Sequence, residues 1–237
     1  MITIGYSTKK IDENYLHHVK DTTKYENQII AFQNNNEISL TRFYNKIIKE
    51  SKNDIIVLCH DDLVFETFDW DEIVIDLFKE NPHGIIGVAG AKLLSESGVW
   101  WEHCNPMYGI VNQIIDGEKV EHEWSHYNEN LENMVVVDGL FIALDKNRIK
   151  KYFDEDIKGF HYYDLDFSLS NFLENVKIGL TTKIRLTHFS NGTINDSWYE
   201  NKDFFTNKYK NELPIDVREY KVELLPSQGP FCPDKNF

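Results

Sequence analysis

Short apolar runs alternate with longer apolar stripes along the first third of the chain, and this alternation predicts the fold class. Met1 to Ile4 reads as a strand with Gly5-Tyr6-Ser7-Thr8 as the loop behind it, and Asp12 to Lys20 reads as a helix. Gln28 to Phe32 is a second strand, ending in Gln33-Asn34-Asn35-Asn36. Leu40, Phe43, Tyr44, Ile47 and Ile48 recur at the spacing of a single helical stripe within Glu37 to Ser51, with Ser39 as N-cap. Ile55 to Cys59 is unbroken and rich in β-branched residues, the pattern of a strand buried on both faces, and it runs into His60, Asp61 and Asp62. The order β-α-β-α-β predicts a mostly parallel, Rossmann-like central sheet flanked by helices. Ligands bind such sheets at the carboxyl ends of the strands.

A further helix is expected over Asp69 to Glu80, stopped by Asn81-Pro82, and then a glycine-bearing strand over Gly84 to Gly90. Periodicity fades from Ser95 to Asn133, a stretch that holds Trp100, Trp101, Trp124, His103, Cys104, His122 and His126. It returns with a strand over Met134 to Val137, the turn Asp138-Gly139, and the apolar run Leu140 to Leu144. A loop from Phe153 to Tyr163 leads to a helix starting near Asp164, with Leu165, Leu169, Phe172, Leu173 and Val176 on one face. Lys183 to Thr187 is a last strand, ending at His188, and Asn191 to Tyr209 reads as a loop followed by a helix. The proline-bearing remainder reads as an extended tail.

Composition narrows the function classes. A chain of 237 residues with 41% hydrophobic and 14% aromatic residues can bury a sizeable core. A formal net charge of −14 argues against nucleic acid as a partner, which needs a basic face. Cys59, Cys104 and Cys232 lack a paired spacing and read as free thiols, pointing to a reducing, cytoplasmic setting. The sequence shows no signal peptide and no apolar stretch of transmembrane length.

Two constellations can do chemistry. Asp61 and Asp62 at a strand end repel each other unless a cation compensates; Mg²⁺ or Mn²⁺ carrying a phosphorylated ligand would do so, and the alternative is a pair of acids capping the next loop. His122-Glu123-Trp124-Ser125-His126 fits H-E-x-x-H, a zinc protease motif if it lies on a helix. Val120, Trp124, Tyr127 and Leu131 have helical spacing, but the turn signal Asp116-Gly117-Glu118 lies just before them, and the metzincin continuation fails at Glu129 and Glu132.

Taken in order, the elements resemble those of a GT-A glycosyltransferase of the inverting family 2 type. The resemblance rests on the strand ending in Gln33-Asn34-Asn35-Asn36, the helix with Tyr44-Asn45, and the apolar strand before His60-Asp61-Asp62. It continues with Val137-Asp138-Gly139, the run from Tyr163-Asp164 to Leu169, and Thr187-His188-Phe189. It covers residues 1–195 as one domain, with a nucleotide-sugar-binding half (1–95) and an acceptor-binding half (96–195) sharing a sheet, then a C-terminal helix and tail (196–237).

The resemblance implies that Asp62, joined by His188, holds Mn²⁺ or Mg²⁺. It places Tyr6, Ser7, Gln33, Asn34, Asn45, His60 and Asp61 on the nucleoside-diphosphate-sugar donor. It places Asp138 and Gly139 on the acceptor, and Asp164 as the general base, kept ionised by a helix dipole as any N-cap Asp would be. Trp100 and Trp101, adjacent in a strand, would point to opposite faces, so one of them, taken as Trp101, can stack on an acceptor sugar while the other is core or lid. His161 and Asp166 flank Asp164 and either bind acceptor hydroxyls or solvate the loop. His60 stands where the family usually has its first Asp, Gln33 where many members have an Asp, and Tyr163 where an acid precedes the base. Gly5-Tyr6-Ser7-Thr8 replaces the usual Pro-x-Tyr-Asn. The implied activity is metal-assisted, inverting transfer to a glycan or lipid-linked hydroxyl in polysaccharide or surface-glycan assembly, with peripheral membrane association compatible with the second acceptor. The alternative is a non-catalytic glycan- or nucleotide-binding module of the same fold.

Overall fold

The structure is a computed structural model describing residues 1–35, 37–102, 107–124, 131–190, 192 and 194–217. Its first part follows the alternating pattern: β1 (Thr3–Thr8), α1 (Glu13–Asp21), β2 (Gln28–Gln33), α2 (Leu40–Glu50) and β3 (Ile55–Cys59). Ser39 caps α2 by accepting from the Arg42 amide, and Asp12 caps α1 through Asn14. The α2 stripe buries Leu40, Phe43, Tyr44, Ile47 and Ile48 as its spacing predicts. Gly5 lies against this helix, because a Cβ there would come within 2.3 Å of the Ile47 side chain. β1 runs on through Gly5, Tyr6, Ser7 and Thr8, so these residues are strand and not the expected loop. Their pairing with β2, Thr3 to Gln28 through Thr8 to Gln33, outlasts the apolar run that announced the strand.

After β4 (Leu63–Phe65) and α3 (Trp70–Glu80) come three short strands, β5 (Ile85–Gly87), β6 (Ala89–Ala91) and β7 (Leu93–Leu94). A long hairpin follows, β8 (Met107–Ile115) and β9 (Glu118–Trp124). Then come β10 (Glu132–Met134), β11 (Val136–Val137), β12 (Phe141–Asp145), α4 (Tyr163–Leu173), β13 (Ile178–Leu180), β14 (Leu186–His188), α5 (Asp196–Lys208) and β15 (Ile215–Asp216).

The main sheet has the order β10-β13-β5-β12-β3-β1-β2. It is α/β as expected, but its strand directions are mixed. β2-β1-β3 and β5-β13 are parallel, while β12 runs antiparallel between β3 and β5, and β10 is antiparallel to β13. Because β12 is antiparallel to both β3 and β5, five of the seven strands (β1, β2, β3, β5 and β13) share one direction, and the expectation of a mostly parallel central sheet holds with β12 and β10 reversed. A second sheet, β11-β6-β8-β14-β4 with β9 beside β8, stands against it. The expected strand over Gly84 to Gly90 is split between the two sheets, and so is Met134 to Val137.

The chain beyond residue 195 continues the same packing. Trp198 and Phe205 of α5 are buried in the core, and β15 pairs with β7. Lys208 is paired to Asp154 at 2.7 Å and to the buried Asp166 of α4 at 2.6 Å, tying α5 to α4.

Candidate active site

Parallel β2, β1 and β3 end at one edge of the main sheet. β1 pairs with β3 from Thr3 to Gly5, so the carboxyl ends of the three strands bring Ser7, Thr8, Gln33 and the His60-Asp61-Asp62 segment to that edge. His60 is anchored by its backbone: its amide donates to the Leu140 carbonyl at 3.1 Å, and its carbonyl accepts from the Tyr15 hydroxyl at 2.8 Å. β14 then runs antiparallel to β4, placing His188 opposite Leu63, and the Phe189 amide bonds the Asp62 carbonyl at 3.0 Å. A residue 126 positions away is thus held beside Asp62 by strand pairing.

The side chains converge. His60 Nδ1 lies 3.3 Å from His188 Nε2 and 3.9 Å from an Asp62 oxygen, and His188 Nε2 lies 3.3 Å from that oxygen. All three ligand-type atoms fall within 4.8 Å of one another. Burial opposes charge on Asp62, but the His188 imidazole outweighs it and holds the carboxyl at about 2. Burial, with His188 beside it, pushes His60 below the usual imidazole range, favouring a neutral ring. His60, expected on the donor sugar, thus joins Asp62 and His188 as a third candidate ligand. Asp61 points outward and is exposed.

Beside this group opens a cleft of about 590 Å³. His60 and His188 line it together with Asp138, Gly139 and Asp164. Asp164 sits in the first turn of α4, and its Oδ2 accepts from the Gly139 amide at 2.8 Å. Asp138 Oδ1 accepts from the Leu140 amide at 2.8 Å, closing the turn. The helix start does not keep Asp164 readily ionised. Burial and the neighbouring Asp138 charge outweigh three backbone amide bonds and raise the carboxyl to about 7.

The cleft also brings together Trp101 and His161, both expected on the acceptor side. Trp100 is 5% exposed and Trp101 40%, as expected of one core and one outward-facing tryptophan, although they lie in a turn and not in a strand. Trp124, Phe160, Tyr162 and Trp198 complete the aromatic wall, and composition gave no reason to choose them. Trp124 had a readable signal. Asp116-Gly117, with φ of 52° and 83°, is the two-residue turn of the β8-β9 hairpin, and such a turn puts residues of the next strand on a predictable face.

Other sequence expectations find structural roles. Asn34 is buried, donating to the Ile38 carbonyl and accepting from the Glu37 amide, so it closes the turn after β2. Asn45 is also buried, and both ends of its amide bind the Phe153 backbone, bracing α2 against the loop before α4. Among the described residues both amides are thus engaged by backbone groups. Asp166 serves Lys208 and Tyr209, not a ligand. Tyr6 is buried beside Tyr15, and its hydroxyl has no hydrogen-bond partner among the described residues. His122 and Glu123 lie on strand β9, not on a helix, so the H-E-x-x-H arrangement fails. His126, Cys104, Cys232, Asn191 and Thr193 lie outside the described residues.

The sequence matches the family described as "Glycosyltransferase like family" over residues 1–220. The chain belongs to that family. No curated protein matches it significantly. Among solved structures it is similar to GalNAc-T7 with UDP, GalNAc and Mn²⁺, at a TM-score of 0.62 and 7% identity over 93% of this chain and 50% of that one. It is also matched by the mannosyltransferase PcManGT from Pyrobaculum calidifontis with GDP-Man and Mn²⁺, at a TM-score of 0.49 and 8% identity over 79% of this chain and 56% of that one. The chain spans about half the length of these two proteins. At such identities the first likeness establishes a GT-A fold. No helix among the described residues is long and apolar enough to cross a membrane.

Proposed function

We propose that this protein transfers a sugar from a nucleoside-diphosphate donor to a hydroxyl of a glycan or lipid-linked acceptor, with inversion at the anomeric carbon. The observation that carries the proposal is a juxtaposition. His60 and His188, whose ring nitrogens converge with an Asp62 oxygen, line the same cleft as Asp164. Assembly of polysaccharide or surface glycan in the cytoplasm, next to a membrane where the acceptor is lipid-linked, is the setting that suits it.

The three residues fit a divalent cation. Two imidazole nitrogens and one carboxylate oxygen make a mixed donor set that suits Mn²⁺ better than Mg²⁺, which prefers oxygen. His60, Asp62 and His188 would hold it; when bound it supplies Lewis acidity and neutralises the leaving diphosphate. The fold neighbour GalNAc-T7 was solved with UDP and Mn²⁺, which supports the same pairing here. On the donor side, Ser7, Gln33 and Asp61 at the sheet edge, with the Tyr6 hydroxyl below them, would meet nucleoside and sugar.

The chain's own residues do the remaining work. The aromatic wall and Trp101 seat the acceptor, while Asp138, Gly139 and His161 frame its reactive end. An Asp164 oxygen takes the proton of the acceptor hydroxyl. The acceptor oxygen forms a bond to the anomeric carbon from the face opposite the diphosphate. The bond from that carbon to the phosphate oxygen breaks, and its electron pair leaves with the nucleoside diphosphate. A carboxyl raised to about 7 is well matched to this task, being basic enough to accept the proton and largely ionised just above neutrality.

A thermal-shift panel of UDP, GDP, dTDP and CMP, each with Mn²⁺, Mg²⁺ or EDTA, tests the reading, because a ligand that binds only the folded state must raise its stability. A shift with one nucleoside diphosphate that disappears in EDTA is expected. The absence of a shift with all four, with and without metal, overturns it. A shift with no release of the nucleotide from its sugar in the presence of acceptors favours the non-catalytic module.

A further inference from the structure

We propose that Tyr163 is a positioning residue that sets the tautomer of His60 and so presents His60 Nδ1 to the cation; this rests on the metal-assisted reading above. The Tyr163 hydroxyl lies 3.0 Å from His60 Nε2, on the side of the ring facing away from Asp62 and His188. A neutral imidazole carries one proton, so a ring that donates through Nε2 has an open lone pair at Nδ1. A ring protonated at Nδ1 would aim that proton at His188 and Asp62 and could ligate nothing there.

The direction of the bond follows from what lies behind Tyr163. The Tyr44 ring meets the Tyr163 ring edge-on, with centroids 5.7 Å apart, and the Tyr44 hydroxyl reaches the Cys59 carbonyl at a long 3.5 Å. A backbone carbonyl only accepts. Tyr44 therefore donates to it, which leaves the Tyr44 oxygen open to the Tyr163 proton and the Tyr163 oxygen open to His60 Nε2–H. The relay Cys59–Tyr44–Tyr163–His60 thus ends with the Nδ1 lone pair facing the other two ligand atoms. Partners of this kind, bonded to the far nitrogen of a ligating histidine, fix ring orientation and tautomer.

Gly139 supplies an independent observation. A Cβ at that position would come within 2.1 Å of the Tyr163 hydroxyl and 2.5 Å of its ring carbon Cζ. The phenol therefore occupies the place of a side chain at Gly139, and its approach to His60 depends on that glycine.

The test is Mn²⁺ uptake by the full chain without nucleotide, read from the EPR signal of free Mn²⁺, together with the ¹⁵N correlation pattern of the His60 ring in the metal-free chain. Wild type should show the Nε2–H tautomer. Tyr163→Phe should mix the tautomers and weaken Mn²⁺ about 10–100-fold, the usual cost of losing such a partner, with an unchanged circular dichroism spectrum. If Tyr163→Phe does not fold, Tyr44→Phe carries the test. It frees the Tyr163 proton to point at His60, and should shift the His60 tautomer and weaken Mn²⁺ by a smaller factor. Undiminished Mn²⁺ affinity in the folded variant, or a wild-type His60 protonated at Nδ1, overturns the inference and leaves the proposed function standing. A wild-type chain that takes up no Mn²⁺ at all overturns the metal-assisted reading itself, and the inference with it.

Discussion

On the sheet side of the cleft, His60, Asp62 and His188 are held by strand ends and by backbone bonds on either side of them. On the opposite side, Trp101, Trp124, Phe160 and Trp198 come from a turn, a hairpin, a loop and a helix far apart in the chain. The first wall is polar and fixed to within a few ångströms. The second is aromatic, and 40% of Trp101 and 48% of Phe160 is open to solvent. The difference matches two recognition problems. A diphosphate with its cation demands charges at set distances, whereas a sugar ring or an apolar acceptor presents broad faces that aromatic surfaces can cover. Asp164 lines the same cleft from the first turn of α4.

Substitutions should therefore separate into three classes, and the largest effect is expected at Asp164. Asp164→Asn keeps the Oδ acceptor for the Gly139 amide but removes the proposed base. Turnover should fall about 10²–10⁴-fold, with the donor dissociation constant within about twofold. Turnover at the wild-type rate, measured with saturating donor and acceptor, removes Asp164 from that role. Next comes the polar wall. Asp62→Ala deletes the only carboxylate of the His60-Asp62-His188 group, and should cost more Mn²⁺ affinity than the roughly 10–100-fold typical of an outer partner. Equal donor affinity with Mn²⁺ and with EDTA in wild type would show that this wall has no such role. His60→Asp replaces a nitrogen ligand by an oxygen and should narrow the preference for Mn²⁺ over Mg²⁺, read by titrating activity with each ion. An unaltered ratio would exclude His60 from the cation.

The two walls were unequally legible in the sequence. The sheet edge was readable because its strands are short apolar runs whose ends must meet in a parallel arrangement, and the Ser39 cap and α2 stripe fixed the helix between them. Even there, Tyr6 to Thr8 was misread, since a strand held by pairing to β2 needs no apolar run at its end. His188 entered through family resemblance alone, because only the β4-β14 pairing explains its place. The aromatic wall was mostly unreadable. Residues brought together by tertiary packing have no common period, and the helical spacing of Val120 and Trp124 concealed a hairpin that Asp116-Gly117 had marked. Asn34 and Asn45 are ambiguous for the opposite reason: their amides suit ligands and backbone equally, and in the fold both bond backbone carbonyls.

The aromatic wall should respond more weakly than the polar one. Trp101→Ala removes an exposed ring without emptying the core, and aromatic contacts are worth about 0.5–1.5 kcal/mol. That is roughly a 2–12-fold rise in acceptor KM, with donor KM unchanged. A change confined to donor KM would place Trp101 on the wrong side of the cleft.

The smallest effect concerns the charge beside Asp164. Asp164 is raised to about 7, first by burial and then by the Asp138 charge, so kcat/KM should fall as pH drops below about 7. Asp138→Asn keeps an oxygen for the Leu140 amide while removing that charge. Asp164 should then ionise at lower pH, moving the acid limb of the profile downward. Folding should show the same sign. A carboxyl whose folded value lies above its unfolded one, about 3.9, favours the native state most below that unfolded value, and the contribution is lost as pH rises through about 7. Asp138→Asn should relieve part of this loss, so the melting temperature of the metal-free chain should rise relative to wild type at pH 8 and match it more closely at pH 4. An acid limb that stays in place in Asp138→Asn would mean that burial alone sets the Asp164 carboxyl, and that Asp138 serves the turn and the acceptor but not the base.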